Sequence, residues 1–185
     1  MDKFVPISGL HHWAYRCRDA EETRHFYEDI LGLPLIHFIR ADNYVGTTGD
    51  RVDVFTHLFF EMADKSCLAF FDLGDGVTSK PSPNTPRWCN HMALKVNSLA
   101  DLERAHRRLL DEGVQVVGPI DHDGYVKSIY FFDPNGARME LTAETASAQK
   151  MADYRSQARA LCDAWTDEKR KHRGRQETGA TADLA

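Results

Sequence analysis

Cysteine is scarce in this chain: four among 185 residues, at Cys17, Cys67, Cys89 and Cys162. None stands in a CxxC pair, which argues against a structural zinc site, and their scatter offers no disulfide framework. Long apolar runs are missing as well, and nothing approaches the roughly 20 residues a membrane-spanning helix needs. Residues 1–6 lack the charged-then-apolar layout of a secretory leader. Positive charge is in deficit, with 23 Lys and Arg against 28 Asp and Glu and a net charge of -5. That is the opposite of a nucleic-acid footprint. A basic cluster at 169–175 sits in a polar tail that reads as a solvated, disordered end. These absences leave a soluble, cytoplasmic protein whose partner is a small molecule, with no nucleic acid and no membrane. What is present, 42% hydrophobic and 28% charged residues, suits one buried core.

The informative feature is an internal repeat. His12-Trp13-Ala14-Tyr15-Arg16-Cys17 reads like His91-Met92-Ala93-Leu94-Lys95-Val96, each a short strand opened by histidine. A helix start follows each: Asp19 with Glu22, then Ser98 with Asp101, in capping-box spacing. The first helix carries Phe26, Tyr27, Ile30 and Leu31 and stops at Gly32. The second carries Leu99, Leu102, Ala105, Leu109 and Leu110 and stops at Gly113. Strands are predicted at 35–39, 54–62 and 67–73, and again at 114–117, 128–132 and 138–142. Asp133-Pro134-Asn135-Gly136 is a turn joining the last two. The layout is strand, helix and three strands, used twice. Residues 40–53 read as an exposed loop or lid, and residues 74–87 as the linker between halves. Met151, Tyr154, Ala158, Leu161 and Trp165 form a helical stripe that predicts an added helix packed on the core or on a partner subunit. The expected organisation is one domain over 1–142, with modules at about 8–73 and 88–142. A helical extension and disordered tail fill 143–185.

A histidine alone means little in a chain with nine of them. The repeat gives two of them meaning. His12 and His91 hold equivalent positions, so packing of the halves about an approximate two-fold axis would bring them together. Glu140, between Met139 and Leu141 on the last strand, points to the face opposite both apolar neighbours. Two imidazoles and a carboxylate make a facial triad for one divalent metal, with coordination positions left open.

His12 with its Asp-led helix ending Phe26-Tyr27-Glu28-Asp29-Ile30-Leu31-Gly32-Leu33 resembles the first module of vicinal oxygen chelate proteins. The run Ser128-Ile129-Tyr130-Phe131-Phe132-Asp133-Pro134-Asn135-Gly136-Ala137-Arg138-Met139-Glu140-Leu141 resembles the end of their second. The resemblance covers about residues 8–142. It implies an α+β fold of paired βαβββ modules forming a curved, open mixed sheet around a metal site, here with a C-terminal helix. The family spans glyoxalases, epimerases, fosfomycin-modifying enzymes, type I extradiol dioxygenases and bleomycin-binding proteins, so fold does not settle chemistry. Glyoxalases and epimerases use a fourth protein ligand on the last strand of the first half. Matching Lys65 to Gly136 puts Ala69 in that place, with Asp72 and Glu61 as the nearby acids.

A three-ligand site resembles that of type I extradiol dioxygenases and of fosfomycin transferases. The extradiol resemblance gives catalytic positions to Tyr130, His122 and Ser128. It implies cleavage of a small catechol-like diol with Fe(II) and dioxygen, Zn, Ni or Mn being the other metals to expect. The acid-base histidine of those enzymes is missing: Ala69-Phe70-Phe71-Asp72 stands there, and His57 is the nearby substitute. Trp13, Phe59, Phe60, Phe70, Phe71 and Trp88 are candidates to line an apolar pocket for an aromatic substrate. The alternatives are a glyoxalase-type metal-dependent lyase or isomerase, and a non-enzymatic, bleomycin-resistance-like binding protein. A homodimer is expected, formed through the C-terminal helix.

Overall fold

The first histidine-led segment forms strand β1 (His12–Cys17), and Asp19 then caps helix α1 (Ala20–Arg24) by accepting from the Glu22 amide at 2.7 Å. A π-helical turn (His25–Ile30) extends this helix and delivers Phe26, Tyr27 and Ile30 to the interior. Strands β2 (Leu35–Val45), β3 (Arg51–Glu61) and β4 (Cys67–Asp72) complete a first sheet ordered β1-β4-β3-β2. The plan then repeats. Strand β5 (Met92–Lys95) leads to helix α2 (Leu99–Asp111), whose Ser98 hydroxyl accepts from the Asp101 amide at 3.1 Å. Strands β6 (Val117–Asp121), β7 (Val126–Phe132) and β8 (Arg138–Glu144) form the second sheet, ordered β5-β8-β7-β6. In both sheets the histidine-led strand pairs in parallel with the last strand of its module, and the other pairs are antiparallel. Both first helices end at glycines in the left-handed region, Gly32 at φ 75° and Gly113 at φ 77°. This computed structural model describes residues 7–80 and 84–179, the stretch 171–179 by backbone alone.

Three expectations are corrected. Residues 40–53 are mostly strand: β2 and β3 pair from Leu35 with Phe60 out to Val45 with Arg51. A ribbon reaching past the core is held by cross-strand backbone bonds, so its sequence needs few apolar residues. Strand β6 starts at Val117 rather than 114, because Val114 and Val116 pack on the core ahead of it. Helix α3 (Ala148–Gly179) continues past residue 170, where composition suggests a disordered tail; residues 180–185 lie outside the described part. Nor does its stripe pack on this chain's core: Leu161 and Trp165 are 63% and 56% exposed. Among the described residues its start is what is tethered, by Tyr154 edge-on to Tyr125 at 5.7 Å and by the Lys150 ammonium donating to the Asp123 carbonyl.

A single core joins the modules. Tyr27 lies between rings of its own sheet, Phe60 at 5.4 Å and Phe70 at 4.6 Å, while its hydroxyl donates to Asp133 of the other module at 3.0 Å. Phe26 meets Phe131 at 6.2 Å, and Arg108 of α2 donates to the carbonyls of Asp29 and Ile30, each at 2.7 Å. The Asp133–Gly136 turn does more than reverse the chain. Its Asn135 accepts from the Arg18 amide at 3.0 Å and donates to Thr23 at 3.2 Å, clasping the start of α1. Burial raises the Asp133 carboxyl above its ordinary range, in spite of the amides of Ala137 and Asn135 that donate to it.

Strand alternation then decides where the functional side chains go. Leu58, Phe60, Leu68 and Phe70 of the first sheet face the shared core, as do Ile129, Phe131, Met139 and Leu141 of the second. The opposite faces carry His12, His57, Phe59, Ala69 and Phe71 on the first sheet. On the second they carry Ser128, Tyr130, Phe132, Arg138 and Glu140. Both polar faces turn away from the common core.

Candidate metal centre

Tyr130 and Glu140 are direct cross-strand partners on β7 and β8, and Ala93 of β5 pairs with Glu140 from the other side. His91, two residues before Ala93, therefore reaches the same face, and its Nε2 lies 3.0 Å from Glu140 Oε2. Its Nδ1 is 3.0 Å from the Cys89 carbonyl. Donation to that carbonyl fixes the tautomer and leaves the Nε2 lone pair available, the usual arrangement behind a metal-binding imidazole. Two donor atoms each about 2.1 Å from one ion and at right angles around it stand about 3 Å apart. The His91–Glu140 spacing fits that geometry. Glu140 is only 5% exposed, and such a buried carboxylate requires a cation or good hydrogen bonds.

The remaining predicted residues of this half gather around the pair. Tyr130 Oη is 2.8 Å from His122 Nε2, and the Tyr130 ring stands edge-on to His91 at 6.2 Å. Burial, followed by the negative charge of Glu140, raises the Tyr130 hydroxyl above its ordinary range, so it stays protonated as a donor. Buried Ser128 donates to Thr142 Oγ1 at 2.9 Å on the same face. Arg138 lays its guanidinium over the Tyr130 ring at 4.0 Å. Arg138 and Thr142 are functional candidates that the sequence reading passed over; their even spacing from Glu140 was the available signal.

His12 does not join them. Among the described residues no three potential ligands converge. His12 contacts His11, with Nδ1 atoms 2.8 Å apart, and its ring neighbours are His57 at 6.1 Å and Phe59 at 5.6 Å. The first-module residues that share a cavity with His91 are Tyr15, Arg16 and Phe70. His12 lies four residues back along β1 from Arg16, about 13 Å at strand rise. His12 and His91 therefore do not meet within one chain, which leaves the arrangement across a dimer: the shared core occupies the side on which their equivalent faces would have to meet.

The register also bears on a fourth ligand. Ala14 pairs with Ala69 as Ala93 pairs with Glu140, so alanine stands where the second module has its carboxylate. Asp72 is committed elsewhere, accepting from the Ala20 amide at 2.9 Å and the Gly74 amide at 2.8 Å. Glu61 shares the row of Cys67 and His12, with Lys65 paired to it at 2.9 Å. His57 is 8% exposed, stacks on Phe71 at 3.7 Å, and has a buried Nε2 without a hydrogen-bond partner. Burial, reinforced by His12 and His37, pushes its imidazole down to about 4. Of the six proposed pocket aromatics, Phe60 and Phe70 are core, Phe59 and Phe71 flank His57, and Trp13 and Trp88 are exposed.

Residues 9–141 match the family described as Glyoxalase/Bleomycin resistance protein/Dioxygenase superfamily, and the chain belongs to it. Among solved structures, a glyoxalase/dioxygenase from Nostoc punctiforme is 22% identical, with a TM-score of 0.57 over 79% of this chain and 99% of that one. A lactoylglutathione lyase from Agrobacterium tumefaciens is 19% identical, with a TM-score of 0.53 over 75% and 96%. A fosfomycin resistance protein, FosX, from Listeria monocytogenes, complexed with Mn(II) and sulfate, is 20% identical, with a TM-score of 0.53 over 80% and 99%. At these identities the likeness is one of fold. No helix among the described residues is long and apolar enough to cross a membrane.

Proposed function

We propose that this chain is a divalent-metal enzyme, centred on His12, His91 and Glu140, that cleaves a small aromatic diol with Fe(II) and dioxygen. The observation that carries the reading is the 3.0 Å approach of His91 Nε2 to a buried Glu140 whose counterpart in the other module is Ala69. Such a centre has three protein ligands and open positions. Because the two polar faces turn away from the common core, His12 comes from a second copy, the first sheet of one chain covering the second sheet of the other. Ile36, Phe38 and Val45 of β2, all exposed, give such a homodimer apolar surface to bury.

An ion held there supplies an electrophilic centre that a vicinal diol can chelate. The protein's residues supply the rest. Tyr130, protonated and paired with His122, donates to a substrate oxygen beside Glu140. His57, neutral at physiological pH and with Nε2 unpartnered, accepts a diol proton once the faces meet. Phe59 and Phe71 offer ring surface beside it. His57 thus fills the acid-base role that no residue of β4 can take.

Elemental analysis of protein reconstituted anaerobically with mixed divalent ions tests this reading, with Glu140→Ala as control. About one iron per chain, lost in the control, is the expected result, and Tyr130→Phe should then keep the iron while losing turnover of catechols. A glyoxalase-type lyase or isomerase is the second reading, resting on Glu61 in the row of His12. Bound zinc, nickel or manganese that weakens on Glu61→Gln would favour it. Protein that takes up no metal would leave a binding module.

A further inference from the structure

Beside His91 a cavity of about 170 Å³ lies between the end of β1, the start of β5, the β7–β8 turn and the linker. It has room for on the order of six waters, or one small organic group. Lys80, Arg87 and Arg138 line it. None of the three forms an ion pair among the described residues, although acidic residues outnumber basic ones in the chain by 28 to 23. Arg16 also lines the cavity, but Asp75 already neutralises it, and its Nε donates to the Val77 carbonyl at 2.8 Å.

The guanidiniums are held without being neutralised. Arg138 lies flat on Tyr130 at 4.0 Å and donates one hydrogen bond, to the Trp88 carbonyl at 3.1 Å. Arg87 stands over Phe132 at 5.7 Å. Aromatic faces fix the orientation of a guanidinium and leave its outward N–H groups free to grip a carboxylate or phosphoryl group. Three cations converging on one cavity repel each other, and an oxyanion relieves that repulsion. Arg138 is also two residues before Glu140 on the same face, about 7 Å away. A group held by Arg138 thus belongs to a molecule that can reach the proposed metal ligands.

We infer that the cavity is an oxyanion subsite, and that the substrate is a small anionic molecule whose carboxylate or phosphoryl end docks on Lys80, Arg87 and Arg138. This rests on the metal-centre reading for what lies at the substrate's other end. The subsite itself needs no metal, so its test uses the Glu140→Ala protein beside the wild type.

Calorimetric titration with benzoate, inorganic phosphate and neutral benzamide separates the possibilities. Saturable binding of benzoate alone assigns a carboxylate, and of phosphate alone a phosphoryl group; benzamide should not bind. Affinity should fall about tenfold in Arg87→Gln and in Arg138→Gln, fall with added salt, be retained in Glu140→Ala, and stay unchanged in Arg51→Gln on the β2–β3 ribbon. Arg87 is exposed on the linker, so its replacement tests the subsite even if Arg138→Gln disturbs β8. Absence of binding by both anions, or equal affinity in wild type and Arg87→Gln, would overturn the inference. Wild-type protein that binds the anion but takes up no metal would refute the metal centre alone.

Discussion

The two modules share strand order, helix caps and a histidine at the head of the first strand, yet they differ at one position that matters. Where β8 offers Glu140, β4 offers Ala69 in the same register. The second module carries a paired histidine and carboxylate with Tyr130, His122 and Ser128 around them. The first carries His12 among His57, Phe59 and Phe71. One face is therefore polar and ligand-rich, the other aromatic with a single proposed ligand. The repeated plan supplies the frame, and a few outward-facing residues set the two faces apart. Residues turned to the core stayed alike in character, because both sheets pack helices into the same interior.

Substitutions that attack this contrast should differ widely in size. Phe131→Ala strikes what the modules share. Phe131 is buried beneath both helices and meets Phe26 of the other half, so its truncation should cost about 3–5 kcal/mol. Denaturant unfolding should move as one transition; two separate transitions would mean that the modules are independent. Ala69→Glu would restore the missing symmetry. A carboxylate placed at this buried position without a partner should cost on the order of 3 kcal/mol in metal-free protein. Thermal unfolding should recover part of that loss on adding a divalent ion, through a fourth ligand. A loss that no ion relieves would show that the two strands are not equivalent.

The His57→Phe effect should be smaller and confined to acid. Burial holds the native imidazole near 4, whereas the unfolded chain titrates at its ordinary 6.5. The stabilisation from a neutral His57 is thus present above about 6.5 and is lost as pH falls toward 4. Urea titrations of metal-free protein should show the wild type losing stability across that window and the Phe variant losing less. Parallel curves would mean that His57 is better solvated than its place between Phe59 and Phe71 implies.

Much of this was legible in the sequence where the determinants were local. The caps at Asp19 and Ser98 and the stops at Gly32 and Gly113 need only a few neighbouring residues, and all four hold. The match of Ala69 to Glu140 also came from turn spacing alone, since parallel pairing in both modules preserves it. Features set by distant partners were hidden. Residues 40–53 lacked an apolar pattern because their strands pair in solvent. The clasp of Asn135 on Arg18 and Thr23 joins residues more than a hundred positions apart. Lys80, Arg87 and Arg138 form no run in the sequence, so the basic cavity was invisible. The split between His12 and His91 depends on which faces the shared core covers, and periodicity within each module carries no information about that.

The most direct test of the centre is complementation between two inactive variants. His12→Ala and Glu140→Ala chains should each lose the metal when alone. Unfolded together and refolded as a mixture, they should form hybrid dimers in which, on the proposed arrangement, one of the two sites has His12 from one chain and His91 with Glu140 from the other. Random pairing predicts metal in about a quarter of all sites. Recovery near that level would establish a centre shared between copies. A mixture that dimerises but stays metal-free, or a His12→Ala chain that retains full metal content alone, would contradict it.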